Sequence, residues 1–215
     1  MVFDCAGRGW EGDLLAGTES RGAEAEREGG VNWPLIGIIP ADKSDVNMNT
    51  ESQPMTELMT IGYEGLSLAE FFGILERCRV TTLVDVRELP ISRRPGFAKT
   101  ALSAALVRRG IKYVHMPALG CPRDIRHRYR DDEDWSRYTK HFQNYLATQP
   151  EALVELSQVA SSERCCLMCF EEDYNFCHRK FVAERVAPLI GASIRIFHLT
   201  GPIEGRVVRH ELAAA

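Results

Sequence analysis

The chain has 215 residues, of which 45% are hydrophobic and 26% charged, with 17 glycines and 10 prolines. This composition is typical of a globular protein and excludes a collagen, a mucin or a wholly disordered chain. The 26 basic and 30 acidic residues give a net charge of −4, which by itself favours no class of charged partner. No apolar run approaches the roughly 20 residues of a membrane-spanning helix, and no secretion signal is found. We therefore expect a cytoplasmic protein without a membrane partner, whose seven cysteines are reduced thiols.

Residues 1–57 differ in composition from the rest of the chain. They hold eight of the 17 glycines and eleven acidic against four basic residues, and their apolar residues follow neither a helical nor a strand period. This pattern predicts a disordered acidic tail, which is either an interaction segment or a solvated appendage added by an over-long translation start. We expect an α/β domain over residues 58–205 and a C-terminal extension over residues 206–215.

From residue 58 onward, short apolar runs alternate with amphipathic segments. Ser67 followed by Glu70 has the capping-box spacing and predicts the start of the first helix. The alternation predicts an α/β fold of three layers, in which a mostly parallel, Rossmann-like sheet is flanked by helices. The predicted strands cover residues 60–63, 81–87, 111–116, 165–170 and 194–199. Later helices are predicted over residues 99–109, 135–147, 151–160 and 178–189, and residues 117–134 are predicted to form a polar loop.

The second predicted strand ends in a charged pair. Asp85 and Arg87 lie two residues apart and therefore share a face, at the carboxyl edge where parallel sheets bind their ligands. The pair is either part of a binding site or a structural ion pair, and the sequence supports both alternatives equally. The loop that follows offers Ser92, Arg93 and Arg94 as donors to phosphate or carboxylate oxygens.

The fourth predicted strand leads into a group of cysteine, acidic and basic residues. Cys166 and Cys169 have the spacing of a metal or dithiol motif, but residues three apart on a strand point to opposite faces, so we expect these sulfurs to diverge. Three alternatives remain for the residues around the following helix start: an anion pocket, a nucleophilic Cys177, or a zinc site formed by Cys169, Cys177 and His178, with or without Cys121 as a fourth ligand. The anion pocket is favoured. The residues concerned are Cys169, Glu171, Cys177, His178 and Arg179.

Residues 85–130 concentrate positive charge, with eleven basic and three acidic residues. Aromatic residues are interleaved with them, a mixture that suits a nucleic-acid backbone or a small polyanion, although a solvated basic surface has the same composition. The aromatic residues from Trp135 to Tyr145 have helical spacing and are predicted to form core rather than a base-stacking surface.

Several motifs appear in order along the predicted domain: Ile61-Gly62-Tyr63-Glu64-Gly65, Asp85-Val86-Arg87 with Pro90 and Ser92, Phe97, Tyr113, Leu119-Gly120, Leu167-Met168-Cys169-Phe170-Glu171 and Cys177-His178-Arg179. Together they resemble the DUF488 family of uncharacterised bacterial and archaeal proteins, over roughly residues 59–200. The resemblance implies a compact, cytoplasmic α/β domain and carries no activity.

The residues favour a protein that binds an anionic ligand, phosphorylated, nucleotide or nucleic acid, and acts as a hydrolase or transferase. The alternative is a non-catalytic nucleic-acid-binding or regulatory module that uses residues 85–130. No cofactor is firmly implied, and zinc is the minor alternative. Predicted ligand-binding residues are Tyr63, Arg87, Ser92, Arg94 and Arg179. Predicted catalytic residues are Asp85, Glu171, Cys177 and His178.

Overall fold

The computed structural model describes residues 56–191, 194–203 and 206–212. The predicted acidic tail therefore lies outside the described residues, except at its carboxyl end, where Glu57 begins the first strand. None of the helices in the described ranges is long and apolar enough to cross a bilayer.

The centre of the fold is a mostly parallel sheet. Five strands run parallel and a sixth pairs with β5 in the antiparallel direction, in the order β3-β2-β4-β1-β5-β6. This order differs from the 3-2-1-4-5-6 order of the dinucleotide-binding fold. The strands are β1 (Glu57–Gly62), β2 (Thr82–Asp85), β3 (Lys112–His115), β4 (Cys165–Cys169), β5 (Arg195–Ile203) and β6 (Arg206–Leu212).

Helices cover both faces of the sheet, so the predicted three-layer α/β fold is confirmed. One hydrophobic core contains residues of α1 and α2, and a second core, across the sheet, contains residues of α3 to α6. The helices are α1 (Leu68–Arg77), α2 (Lys99–Val107), α3 (Arg123–Asp132), α4 (Trp135–Leu146), α5 (Pro150–Ser162) and α6 (His178–Ile190).

Local sequence explains where the first helix begins. Ser67 caps α1 by accepting a hydrogen bond from the backbone N–H of Glu70, and the Glu70 carboxylate accepts one in return from the backbone N–H of Ser67. This reciprocal pair is the capping box that the spacing predicts. Strand β1, which precedes α1 in the chain, pairs with β4 in a register that places Gly62 beside Cys169.

Two elements differ from the sequence-based prediction. Residues 123–132 form helix α3 rather than a loop, because Pro122 precedes a helix start with Asp124 in its first turn, while only Ile125 is buried. One buried residue gives too weak an apolar period to reveal a helix. Residues 206–212, predicted as an extension, form strand β6 at the sheet edge.

The order of the strands opens a crevice beside β4. The chain places α1 and α2 on one face after β1 and β2, whereas α6, which follows β4, lies on the other face. Because β4 lies between β1 and β2, the loops leaving its carboxyl end diverge from both neighbours. Ligands of open α/β sheets bind at such points.

Candidate functional site

A cavity of about 840 Å³ lies at this carboxyl edge. Its lining comes from the ends of β1, β2 and β4, from the loop after β2, from α3 and α4, and from the start of α6. Five arginines, two glutamates and six aromatic side chains contribute to it. The size is that of a small-molecule site, and the lining is basic.

Asp85 and Arg87 form a buried ion pair beside the cavity. Asp85 Oδ1 accepts from Arg87 Nε at 2.8 Å and Oδ2 accepts from Arg87 Nη2 at 2.6 Å, which makes the pair bidentate. The hydroxyl of Tyr113 also donates to Asp85 Oδ2 at 2.6 Å. Burial opposes the charge of Arg87, but the hydrogen bonds and charge of Asp85 raise its pKa above the ordinary value. Arg87 lines the cavity, whereas Asp85 is fully buried and is not among the lining residues.

The predicted residues Tyr63, Ser92 and Arg94 lie close to this pair. Arg87 Nη1 donates to the Tyr63 hydroxyl at 2.9 Å, and that hydroxyl lies 3.3 Å from Ser92 Oγ. Arg94 donates to the backbone carbonyl of Tyr63 at 2.6 Å and to that of Leu66. All three residues line the cavity. The guanidinium groups of Arg87 and Arg94 are thus already hydrogen-bonded to the protein, and they shape the wall of the cavity.

Four side chains converge where β4 ends and α6 begins. The Sγ of Cys169 lies 2.9 Å from Glu171 Oε2 and 3.6 Å from His178 Nδ1, and the Sγ of Cys177 lies 3.0 Å from the same Glu171 oxygen. One ligand atom from each of the four residues lies within 4.8 Å of the others. This group, named the quartet below, could hold a metal ion.

The backbone explains the convergence. Cys169 ends β4, and Glu171 lies two residues later. Cys177 is the N-cap of α6, so the chain between Glu171 and Cys177 turns back to the strand end. His178 Nε2 lies 2.9 Å from the carbonyl oxygen of Val86, and donation to that oxygen leaves Nδ1 as the nitrogen that faces Cys169. Metal-bound histidines are commonly oriented by this kind of bond to a carbonyl.

The pKa values of the quartet are shifted by burial and by mutual contact. Burial, followed by the charge of Cys177, raises the pKa of Glu171 to about 7, and burial and Cys177 raise the pKa of Cys169 well above its ordinary value. Burial opposes ionisation of Cys177, but its contacts with Cys169, Arg179 and His178 lower its pKa well below the ordinary thiol value. For His178, the contact with Cys177 outweighs burial and raises the pKa. Cys177 is therefore the thiol of the quartet whose ionisation the site favours.

Arg179 lies behind the quartet and is fully buried. Its Nη2 donates to the carbonyl oxygen of Glu172 at 2.9 Å and its Nη1 to that of Glu171 at 2.5 Å. Arg179 does not line the cavity in the described part of the chain. Its guanidinium fixes the backbone that carries Glu171.

The chain matches the family model "Domain of unknown function DUF488" over residues 67–186. This match covers more than half of the 215 residues. The chain belongs to the DUF488 family. No curated protein and no solved structure matches it.

The DUF488 match contains the quartet and the Asp85–Arg87 pair, whereas Tyr63 and β5 lie outside the matched residues. The family's own description assigns no activity.

Sequence reasoning missed part of the cavity wall. Trp135 and Tyr138 both line the cavity, although Tyr138 is also part of the core. Glu88 pairs with Arg126 of α3, a contact that the loop prediction for residues 117–134 concealed.

Cys121 lines the cavity but is not one of the four residues whose ligand atoms meet. Burial raises the pKa of its thiol to about 12, and its contact with Tyr138 only partly offsets that effect. Cys169, Cys177 and His178, the three ligands of the zinc alternative, are thus all in the observed group, and Glu171 rather than Cys121 is the fourth residue.

Proposed function

We propose that this DUF488 protein binds zinc through Cys169, Glu171, Cys177 and His178, and that the cavity above the ion binds an anionic ligand on which a hydrolase or transferase reaction takes place. The observation that carries the proposal is the convergence of the quartet at the wall of a basic cavity. Three of the four residues, Cys169, Glu171 and His178, line that cavity.

The ligand types and their spacing support zinc. Thiolate sulfur, imidazole nitrogen and carboxylate oxygen are the ligands that Zn²⁺ takes in proteins, with bonds of about 2.0–2.3 Å. Tetrahedral bonds of this length separate ligand atoms by roughly 3.3–3.8 Å, a range that lies between the 2.9 Å from Cys169 Sγ to Glu171 Oε2 and the 4.8 Å limit of the group, so small shifts of the side chains would bring the ligands to the ion. The bond from His178 to Val86 supplies the orientation that such a ligand needs.

Burial of Cys177 favours this role over direct nucleophilic attack. Its side chain is 1% exposed, and Cys177 is not among the residues that line the cavity. A nucleophile must reach the substrate, whereas a metal ligand needs only to reach the ion. A bound zinc ion would act as a Lewis acid on the anionic group of a cavity ligand only once that group replaced one of the four protein ligands, because a closed four-ligand site has no open position.

The distribution of basic residues favours a cavity ligand over a continuous nucleic-acid surface. Arg87, Arg93 and Arg130 line the cavity at the carboxyl edge of the sheet. Lys112 begins β3 and therefore lies at the opposite edge. The eleven basic residues of segment 85–130 are thus divided between the carboxyl and amino ends of the parallel strands, and only some of them line the cavity.

Zinc content is the direct test. The full chain, purified with zinc supplied, is expected to contain about one zinc ion per molecule by elemental mass spectrometry, and X-ray absorption is expected to show sulfur at about 2.3 Å and nitrogen or oxygen at about 2.0–2.1 Å. Cys169→Ser and Cys177→Ser are expected to lose the metal. Cys166→Ala is the matched control, because Cys166 is an equally buried thiol of β4 in the other core.

Glu171→Gln keeps the shape of its side chain and separates metal loss from unfolding, which circular dichroism monitors. Absence of stoichiometric zinc, or equal retention of zinc in all four variants, would overturn the proposal.

Inorganic phosphate serves as the probe for the anion site, and calorimetry is expected to show tighter phosphate binding to the zinc-loaded chain than to the chelator-treated chain. Equal phosphate affinity in the two forms would remove the role of the ion in ligand binding.

A further inference from the structure

Exposed apolar side chains are concentrated around the cavity. Four of the seven large hydrophobic side chains that are exposed among the described residues line it, namely Leu89, Ile91, Phe170 and Phe176. Ile91 is 74% exposed and Phe176 56% exposed. Single exposed apolar residues are ordinary, but a group of them around one concave site marks a surface that a ligand covers. A ligand of this cavity would therefore gain from an apolar part besides its anionic group.

One wall of the cavity is aromatic. The ring of Trp135 lies 5.4 Å from that of Phe176, 5.5 Å from that of Tyr129 and 4.7 Å from that of Tyr138, measured between centroids. All four of these residues line the cavity. A wall of packed rings with one exposed member binds a flat aromatic group by stacking.

Two cavity arginines are available to an anion. The guanidinium groups of Arg93 and Arg130 form no hydrogen bond or ion pair with any residue that the structure describes, and both side chains are exposed. Arg130 lies on α3 next to Tyr129 of the aromatic wall and one turn after Arg126. Arginine forks match phosphate oxygens, so a phosphate can bind beside the group that stacks.

We propose that the ligand is a free nucleotide, with its base on the aromatic wall formed by Trp135, Phe176 and Tyr129 and its phosphate bound by Arg93 and Arg130. The inference rests on the proposed function in that the phosphate shares the cavity with the zinc ion. A cavity of about 840 Å³ accommodates one nucleotide. A free nucleotide does not need the extended basic surface along which a nucleic-acid strand binds.

Calorimetry on the zinc-loaded full chain tests the inference with three probes. Adenosine monophosphate carries both groups, adenosine carries the base without phosphate, and ribose phosphate carries phosphate without the base. We expect adenosine monophosphate to bind at least about tenfold more tightly than either fragment, because each fragment leaves one part of the site unused. Equal affinity for adenosine monophosphate and ribose phosphate would overturn the inference, and so would binding restricted to single-stranded RNA.

Matched variants assign the contacts. Arg130→Ala is expected to weaken nucleotide binding by about tenfold, whereas Arg128→Ala, an exposed arginine of the same helix outside the cavity lining, is expected to leave it unchanged. Phe176→Ala is expected to weaken the binding of adenosine as well, whereas Val154→Ala, another exposed apolar residue outside the lining, is not. Equal effects of a variant and its control would contradict the assigned contacts.

The metal content of each sample separates the two proposals. A chain with full zinc that binds none of the three probes overturns the nucleotide inference and leaves the zinc site intact. A chain without zinc overturns the proposed function, whatever it binds.

Discussion

Replacement of Asp85 by asparagine tests whether this carboxylate supports the fold or takes part in chemistry. Asp85 is a predicted catalytic residue, yet it is fully buried and does not line the cavity among the described residues. Asparagine has nearly the same shape but removes the charge that Arg87 faces. We expect Asp85→Asn to destabilise the protein strongly.

The hydrogen bonds of Asp85 set the size of the effect. The carboxylate accepts from the backbone N–H of Arg87, from two guanidinium nitrogens of Arg87 and from the Tyr113 hydroxyl. An asparagine side chain has one accepting oxygen, and its NH₂ group would face donors. Removing one partner of a buried ion pair costs about 3–5 kcal/mol because the remaining charge stays desolvated. That is a large fraction of the roughly 5–15 kcal/mol by which a domain is stable.

Urea unfolding followed by circular dichroism measures the change in the free energy of unfolding. The control is Glu76→Gln, which breaks the half-exposed pair of Glu76 and Arg109, 3.3 Å apart, and is expected to cost less than about 1 kcal/mol. A double variant, Asp85→Leu with Arg87→Met, is expected to lose less than the sum of the two single variants. If Asp85→Asn cost no more than Glu76→Gln, the structural reading of the pair would be refuted.

Three further changes probe the site and its frame. Gly62→Ala is expected to lower the free energy of unfolding by about 3 kcal/mol and to release zinc, because its Cβ would lie 1.7 Å from the Glu171 carbonyl oxygen. The helical control Gly73→Ala is expected to be neutral or stabilising. Thermal unfolding and metal content measure both effects, and a neutral Gly62→Ala would contradict the close approach. Cys121→Ala is expected to keep the full zinc content, and loss of zinc by elemental analysis would place Cys121 among the ligands. Ser67→Ala is expected to cost about 1 kcal/mol in urea unfolding through the lost cap of α1, and an unchanged midpoint would contradict the capping box.

The sequence predicts well the features that depend on local spacing. The period of two along a strand places Cys166 and Cys169 on opposite faces, and the structure confirms it, since the two cysteines belong to different hydrophobic cores. The capping box at Ser67 is equally local. The sheet was predictable for the same reason, because apolar strands that alternate with amphipathic helices have few other ways to bury their surfaces.

Features that depend on partners distant in sequence were not predictable. Arg94 has the residue type of an anion ligand, but its guanidinium binds the backbone carbonyls of Tyr63 and Leu66, 31 and 28 residues away. The orientation of His178 depends on the carbonyl of Val86, 92 residues away. Residue type shows which bonds a side chain can make, whereas the fold determines which partner lies within hydrogen-bond distance.

The buried charge of Arg179 links the stability of the fold to the quartet. Arg179 is fully buried, its guanidinium bonds to carbonyl and hydroxyl oxygens, and no carboxylate of the described residues lies within ion-pair distance of it, so the Cys177 thiol is the group of the quartet whose ionisation its charge favours. A buried charge without compensation is costly. With zinc bound as proposed, two thiolates and the Glu171 carboxylate would exceed the charge of the ion by one negative charge, which Arg179 would neutralise from the adjacent position in α6. The same guanidinium that holds the Glu171 backbone in place would therefore also balance the charge of the proposed metal site.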